Sequence, residues 1–592
     1  MNILGISCYY HDAAAALLRD GQLVAAAEEE RFTRVKHDYS FPRNAIQYCL
    51  DTAGIRGNDI DYVAFFEKPF RKFDRILMTV LQTYPQSYKV FRESMITWMI
   101  DKLWVGSTIS AELGIPKDRI LFCEHHLSHA ASAFLCSPFD EAAILTVDGV
   151  GEWVTGTWGT GRGSRIDLRK QMVFPHSLGL LYSAFTAFLG FEVNEGEYKV
   201  MGMAPYGQPT YVDKVWKLIK QDGDGSFFLD MDYFCFHHST DKTFNKRFVE
   251  LFGEPRPPHT LFFTAQSGFP TYFGEPPSNF SELCRLNQHY ADIAASIQKV
   301  TEEVLLGMAR NIQKETGLKR LCIAGGVGLN SVANHRILRE TPFEELFVQP
   351  SAGDGGGALG AALWADNMLL GNPRRFRMDH AYWGKSYQPS EVRDFLEQNR
   401  IPYRHIENDD LLMDQVVDDL QCGKVIGWFQ GRFEWGPRAL GNRSILADPR
   451  NPQMKDIVNT KIKFREPYRP FAPSVLAECA EKYFDLPNAV HHYPARYMLY
   501  VVPVRSCKQS ALPAITHVDG TGRLQTVFRD ANPRYYQLIE RFAQATGMPA
   551  LLNTSFNLKG EPIVTTPANA FNTFSKSEMD TLVMGNFIVE KN

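Results

Sequence analysis

Two histidines four residues apart, His125 and His129, stand in the stretch HHLSHAASAF; Asp148-Gly149 follows, and Asp354 heads a glycine run much later. On a helix that spacing puts both imidazoles on one face, one turn apart, where they can share a cation that a carboxylate from a neighbouring loop completes. Mixed imidazole and carboxylate ligands suit iron or manganese at least as well as zinc. The zinc-peptidase pattern is excluded, because His126, Leu127 and Ser128 leave no glutamate base between the outer pair. A capping pair with a core histidine fits the same spacing, and His126 makes the histidine count less selective.

A second concentration of chemistry lies far downstream. The stretch GRFEWGPRALGNRSILADPR and then KFREPYRPFAP holds Arg432, Arg438, Arg443, Lys463, Arg465 and Arg469 among glycines and prolines. Guanidinium forks bind phosphate and carboxylate oxygens bidentately, and the stiff flanks reduce the entropy lost in positioning them. An anionic small ligand is the natural partner. Arg523 after Thr516-His517-Val518-Asp519-Gly520, and Asn553-Thr554-Ser555-Phe556-Asn557, are polar clusters in apolar surroundings that can hydrogen-bond a planar amide-like group. Phe464, Tyr468 and Phe471 would also suit single-stranded nucleic acid, and Glu434, Asp448 and Glu466 would suit a surface ion-pair network. With 63 Lys+Arg against 67 Asp+Glu there is no basic excess of the kind a general nucleic-acid binder carries.

His11-Asp12 follows the first strand, a position that faces the ligand crevice in many α/β sheets, and a His beside an Asp is a general-base candidate. A loop histidine bonded to the backbone is the plainer reading. Gly149-Val150-Gly151, and Gly325, Gly326, Gly328 and Asn330 of GGVGLN, form turns where backbone N–H groups can approach a nucleotide. Gly355-x-Gly357-x-x-Gly360 imitates a dinucleotide fingerprint but does not open a βαβ unit, so a Rossmann site is rejected and its glycines are read with the other turns. Glu197 and Lys199 of NEGEYKVMGMAPYG can reach the same crevice or form a solvated loop.

The elements that must position these residues are α/β in type. Strands are predicted over Asn2–Ser7, Gln22–Glu28, Ile60–Phe66, Ile120–Cys123, Ala142–Asp148 and Arg320–Ala324, with a long helical stretch over Phe73–Gly114 and strong helical spacing over His289–Gly317. The strand–turn–strand layout near residue 141 repeats that of the start and points to a duplicated α/β domain. Lys220–Ser281 is rich in Phe, Pro, Gly and His without periodicity and reads as an insertion able to cover a substrate. A chain of 592 residues exceeds one ordinary core. The aperiodic NPRRFRMDHAYWG marks a boundary, giving domains 1–380 and 381–592. The ten cysteines are scattered singly, which favours reduced, buried thiols. With no basic leader and no run of eighteen apolar residues, a cytoplasmic protein without a membrane span is expected.

Taken in order, NILGISCYYHDAAAALL, EEERFTRVKHD, HHLSHAASAF, TVDGVGE, GEYKVMGMAPYG, AGGVGLN, GPRALGNRSILADPR, FREPYRPFAP and NTSFN resemble the NodU/CmcH-type O-carbamoyltransferases of nodulation-factor and antibiotic pathways, over essentially the whole chain. The resemblance implies a duplicated actin-like (ribonuclease-H-like) ATPase-fold domain, related to the tRNA threonylcarbamoyladenosine enzymes, followed by a YrdC-like α/β domain. It implies that carbamoyl phosphate is bound by Arg438, Lys463, Arg469 and Arg523, with Asn553 and Ser555, and cleaved to carbamate. Carbamate would attack the α-phosphate of ATP, supplied with Mg2+, to give carbamoyl-adenylate, which passes through the protein interior to the first domain. There His125, His129, Asp148 and Asp354 would hold a divalent metal, iron in this family with manganese and zinc as alternatives. Gly149, Gly151, Glu197, Lys199, Gly325, Gly326, Gly328 and Asn330 would line the nucleotide, and His11 with Asp12 would deprotonate a hydroxyl of a small-molecule acceptor. A tRNA-modifying threonylcarbamoyl transferase is the nearest alternative; a sugar or acetate kinase leaves the arginines idle, and a binding regulator without turnover is a third. No nucleic-acid partner is expected, and the acceptor and oligomeric state stay open.

Overall fold

The computed structural model describes residues 1–100, 102–269 and 274–591. Its described residues divide into two units: Met1–Glu29, His37–Gln266 and Asn279–Met378 in the first, and Glu30–Lys36, Ser267–Ser278 and Asp379–Asn592 in the second. The two short excursions into the second unit interrupt what reads in sequence as one continuous domain.

The first unit contains the same sheet twice. Strands β1 (Asn2–Ser7), β2 (Ala14–Arg19), β3 (Gln22–Glu28), β4 (Tyr62–Phe65) and β5 (Ile120–Phe122) lie in the order β3-β2-β1-β4-β5. The first three are antiparallel neighbours, and β4 and β5 are added parallel to β1. Strands β6 (Glu141–Val147), β7 (Val154–Arg162) and β8 (Arg165–Val173) start the second sheet, which after the small hairpin of β9 (Ile219–Gln221) and β10 (Phe227–Leu229) is completed by β11 (Arg320–Ala324) and β12 (Glu345–Val348). Its order, β12-β11-β6-β7-β8, and its strand directions repeat those of the first. This is the duplicated actin-like arrangement.

The parallel strands need long crossovers, and these are helical. The stretch expected as mainly helical over Phe73–Gly114 is three helices, Pro69–Thr83, Tyr88–Ile100 and Val105–Leu113. The helix expected from His289 begins earlier, and runs Phe280–Thr316. Within the Phe-rich insertion, the helix Lys246–Phe252 sends Phe248 and Phe252 onto Phe185, with ring centroids at 5.0 and 5.1 Å. Aperiodic phenylalanines there build a local core.

One helix deserves its composition. Asp354–Leu363, DGGGALGAAL, is buried at every position. A Cβ on Gly5 would lie 1.8 Å from the carbonyl oxygen of Ala358, and one on Gly360 would lie 1.9 Å from that of Ser128. Only glycine lets this helix press on β1 and on the helix His125–Phe134 at backbone distance. Asp354 is thereby carried to the histidines. Gly357, which meets Phe66 and Ser128, and Gly360 are occupied by packing, so the reading of these two as phosphate-approach glycines is corrected.

The second unit is an α/β domain on a nine-stranded mixed sheet. Its middle strands are, in spatial order, Ile426–Phe429, Arg443–Ala447, Ala550–Ser555, Ala472–Leu476 and Thr521–Val527. Among the described residues no helix is long and apolar enough to cross a membrane.

Candidate active site

His125 opens its helix, and Glu152 holds that opening. Its carboxylate accepts from the backbone N–H of His125 at 3.0 and 3.2 Å and from that of Lys68 at 2.9 Å. An acidic group suits the positive end of the helix. His125 Nε2 and His129 Nε2 then lie 3.1 Å apart, both side chains fully buried. Asp148, at the end of β6, sets Oδ2 at 3.0 Å from the first and 3.4 Å from the second; Asp354 Oδ1 lies 3.7 and 3.4 Å from them. The donor atoms of all four residues fall within 4.8 Å of one another.

Two imidazole nitrogens and two carboxylate oxygens converging in a buried space could serve as the donor set of a divalent cation. Asp354 Oδ2 is buried with no hydrogen-bond partner, which a cation would relieve. The electrostatics agree. Burial disfavours the charged form of His129, yet Asp148 and Asp354 outweigh it and push the group up to about 9. Burial would raise Asp148, but the two histidines hold it well below the usual carboxylate range. Positive charge is strongly favoured at this point.

His126 is excluded from the ligand set. Its Nδ1 meets Thr146 Oγ1 at 2.6 Å and its Nε2 meets the Val154 carbonyl at 2.9 Å, and burial drives it well below its ordinary pKa. It is a neutral core histidine joining β6 to β7.

Of the residues read as nucleotide-binding, the structure gathers several around Asp148. The Gly326 N–H donates to Asp148 Oδ1 at 2.9 Å. Gly325 has φ +92°, and a Cβ there would lie 2.2 Å from the Val147 carbonyl oxygen. Gly328 is buried in the same turn, and the Gly328 carbonyl accepts from Asn334 at 2.8 Å. A Cβ on Gly151 would lie 2.8–2.9 Å from the His125 ring, whereas one on Gly149 would meet only Leu180, at 4.0 Å. Asn330 caps the next helix through Ala333 N–H at 3.1 Å and exchanges amide hydrogen bonds with Gln298. Glu197 accepts from Ser183 at 2.8 Å and from Asn194 N–H at 3.0 Å. The Lys199 ammonium rests 5.7 Å from the Phe191 ring centre. Neither Glu197 nor Lys199 is bonded to Asp148.

His11 and Asp12 have a third member that sequence reasoning missed. His11 Nδ1 lies 2.7 Å from Asp12 Oδ2, and His37 Nδ1 lies 2.7 Å from Asp12 Oδ1. The carboxylate fixes Nδ1–H on each ring and leaves Nε2 as the basic nitrogen. Burial lowers His11, but the Asp12 bond and charge, with Asp354 and Asp148 behind, lift it to about 9. Asp12 and His37 sit at φ +44° and +55°. The signal in sequence was the Lys-His-Asp run, which carries a second His-Asp pair.

In the second unit the arginines separate into two kinds. Arg443 is fully buried under the Phe429 ring and gives its N–H groups to the carbonyls of Asn442, Gly431 and Lys385 at 3.0, 3.1 and 3.2 Å, and also to that of Gln430. Arg432 donates to the carbonyls of Gly384 and Trp383. Both hold the loop, which Glu434 closes by accepting from the N–H groups of Leu440, Asn442 and Arg443. They are structural.

The other kind is a cluster of mutually repelling cations. Arg523 is pulled well below its ordinary pKa by burial and then by Arg438, Arg465 and Arg469, and its Nε has no partner. Lys463 is pulled down by burial and then by Arg465 and Arg469. Its ammonium meets the Ser555 carbonyl and hydroxyl at 2.5 and 3.2 Å and Asn557 Oδ1 at 2.6 Å. Asn553 is held by Ser474 and Gln525, each at 3.0 Å, with Oδ1 buried and unpaired. Arg465, one of the arginines read as binding an anionic ligand, bonds Asn459 Oδ1 at 2.7 Å. A concentration of buried positive charge of this kind is stable when an anion occupies it.

The first unit thus holds a buried cluster of two imidazoles and two carboxylates, and the second a cluster of buried cations. The comparisons give the family. Residues 2–363 match the family model of the carbamoyltransferase N-terminus and residues 417–591 that of the carbamoyltransferase C-terminus, so the chain belongs to the carbamoyltransferases and is a transferase. An uncharacterised protein of Synechocystis sp. is 47% identical, the match covering 100% of this chain and 97% of that protein. Nodulation protein NolNO of Sinorhizobium fredii is 39% identical, over 98% of this chain and 79% of its own. The 3'-hydroxymethylcephem-O-carbamoyltransferase of Streptomyces clavuligerus is 36% identical over 45% of this chain and 47% of that enzyme. Among solved structures, full-length HypF in its phosphate- and nucleotide-bound form aligns at a TM-score of 0.32 and 14% identity, over 63% of this chain and 56% of that one.

Proposed function

We propose that the protein is an ATP-dependent O-carbamoyltransferase whose two steps are divided between its units. In the second unit, YrdC-like in this reading, Arg438, Lys463, Arg469 and Arg523 hold carbamoyl phosphate, and water cleaves it to carbamate and phosphate. A carbamate oxygen attacks the α-phosphorus of Mg-ATP, pyrophosphate leaves, and carbamoyl-adenylate forms. In the first unit an acceptor hydroxyl attacks the carbamoyl carbon, AMP leaves, and the hydroxyl proton goes to His11 Nε2. The single observation that carries this is the buried cation cluster: Lys463 and Arg523 are destabilised by burial and by their neighbours, a state that a phosphorylated, carbonyl-bearing donor relieves.

The four-donor site of the first unit fits a divalent metal, iron, manganese or zinc, with His125, His129, Asp148 and Asp354 as ligands. Such an ion, when bound, supplies Lewis-acid charge to the oxygens of a nucleotide phosphate. The protein's own groups do the rest. Asp12 orients His11 and stabilises its imidazolium. The N–H groups of Gly151, Gly325, Gly326 and Gly328 are taken by Val154, Ala352, Asp148 and Gly325, so these glycines shape the turns beside the adenylate rather than donate to it, and burial limits hydrolysis of a short-lived carbamoyl group. The 3'-hydroxymethylcephem-O-carbamoyltransferase among the relatives supports a small hydroxyl-bearing acceptor.

The test is product analysis with ATP labelled at the α-phosphate. AMP and pyrophosphate are expected with carbamoyl phosphate and not without it. Turnover driven by threonine plus bicarbonate would move the protein to tRNA-type chemistry, and ADP as product would make it a kinase.

A further inference from the structure

The helix Pro69–Thr83 is inside out. Its buried side chains include Lys72 and Arg75, while Phe70 and Leu81 on its outer side are 74% and 63% exposed. The inward charges are used: Lys72 pairs with Glu67 at 2.6 Å, and Arg75 donates to the Gly151 carbonyl at 3.2 Å, behind His125. The next helix, Tyr88–Ile100, buries Trp98 but also leaves Tyr88 61% and Met99 67% exposed. Phe70 and Leu81 stand eleven residues apart, as do Tyr88 and Met99, about three turns, so each pair shares a helix face. Tyr84, between the helices, and Trp104, just after them, are 69% and 57% exposed.

We propose that this outer face is a homodimer interface, in which the hairpin packs on the same hairpin of a second copy across a twofold axis. At about 200 Å² per side chain the exposed parts of these six residues sum to roughly 800 Å² of mainly apolar surface, the scale of one side of a standard interface. A twofold contact needs a self-complementary surface, and two antiparallel helices against two more make a four-helix bundle. Among the described residues, carboxylates lie beside the cations of this face, although Arg92 is exposed without one, so the face lacks the cluster of several Lys and Arg that an anionic membrane attracts. Lys68 and Arg71 both pair with Glu124, at 3.1 and 2.7 Å, and Lys89 pairs with Asp241. The inner face of the same hairpin buttresses the loop under His125, so covering its outer face steadies the first site.

Sedimentation velocity over a range of protein concentrations tests this on the full chain. The wild type is expected to be a dimer, and Leu81→Glu and Tyr88→Glu each to raise the dissociation constant at least tenfold while melting like the wild-type monomer, since both positions are exposed there. A wild type that stays monomeric at all concentrations, or a dimer that survives both substitutions, overturns the proposal. So does binding to phosphatidylserine-containing vesicles in the absence of self-association.

Discussion

Replacing Gly151 by alanine tests whether the first site is a metal centre whose geometry depends on packing. The added Cβ would stand 2.8 Å from His125 Cδ2 and 2.9 Å from its Cβ and Cγ, where ordinary contact begins at 3.4 Å. The shortfall is about 0.6 Å, and the ring cannot yield freely because its helix start is pinned by Glu152 and its Nε2 faces His129 and Asp148. Overpacking of this kind costs about 1–3 kcal/mol. If the strain falls on the ligand position, metal affinity drops by roughly 5- to 150-fold at about 1.4 kcal/mol per decade. Gly149→Ala is the matched control, because its Cβ would meet only Leu180 at 4.0 Å. Titration of the stripped proteins with Fe(II), Mn(II) and Zn(II) by calorimetry, with metal content after purification, reads the effect. A Gly151→Ala protein that binds metal as the wild type does, or a Gly149→Ala protein equally impaired, would refute the reasoning.

Three further outcomes are expected. His126→Ala should keep its metal content but lose about 1–3 kcal/mol of stability in denaturant unfolding, since the Val154 carbonyl and the Thr146 hydroxyl lose a buried partner; loss of metal would return His126 to the ligand set. Because His11 is lifted from 6.5 to about 9, the transfer rate should climb with pH to a break near 9, and the stability this group lends, full below 6.5, should be lost as pH rises through about 9. Asp12→Asn should move that break toward 6.5, and a pH profile indifferent to the change would remove His11 as the base. In the cation cluster, Arg438→Ala should raise the melting temperature of the ligand-free protein by relieving Arg523, yet abolish the upward shift that phosphate or pyrophosphate produces in the wild type; an unchanged anion response would displace the proposed donor site.

Much of the layout is local and therefore legible in the sequence. Strand Asn2–Ser7 is read with the bounds it has, and Gly325-Gly326-Val327-Gly328 demands a turn whatever surrounds it. The four-residue spacing of His125 and His129 makes them neighbours on any helix. What spacing cannot decide is the use of identical side chains. His125, His126 and His129 share one helix, and only the positions of Thr146, Val154, Asp148 and Asp354 separate a core histidine from a converging pair. Arg432 and Arg443 look in sequence like Arg438, yet they are spent on backbone carbonyls while Arg438 joins Arg465, Arg469 and Arg523. His37 meets Asp12 only through the return of the chain after β3, and Asp354 reaches the histidines because glycines let its helix lie on β1. A guanidinium or an imidazole takes its role from the partners within about 3 Å of it, and those partners arrive from distant parts of the chain; that is why residue type and spacing determined the chemistry available here, and tertiary packing alone decided which copies of each residue converge.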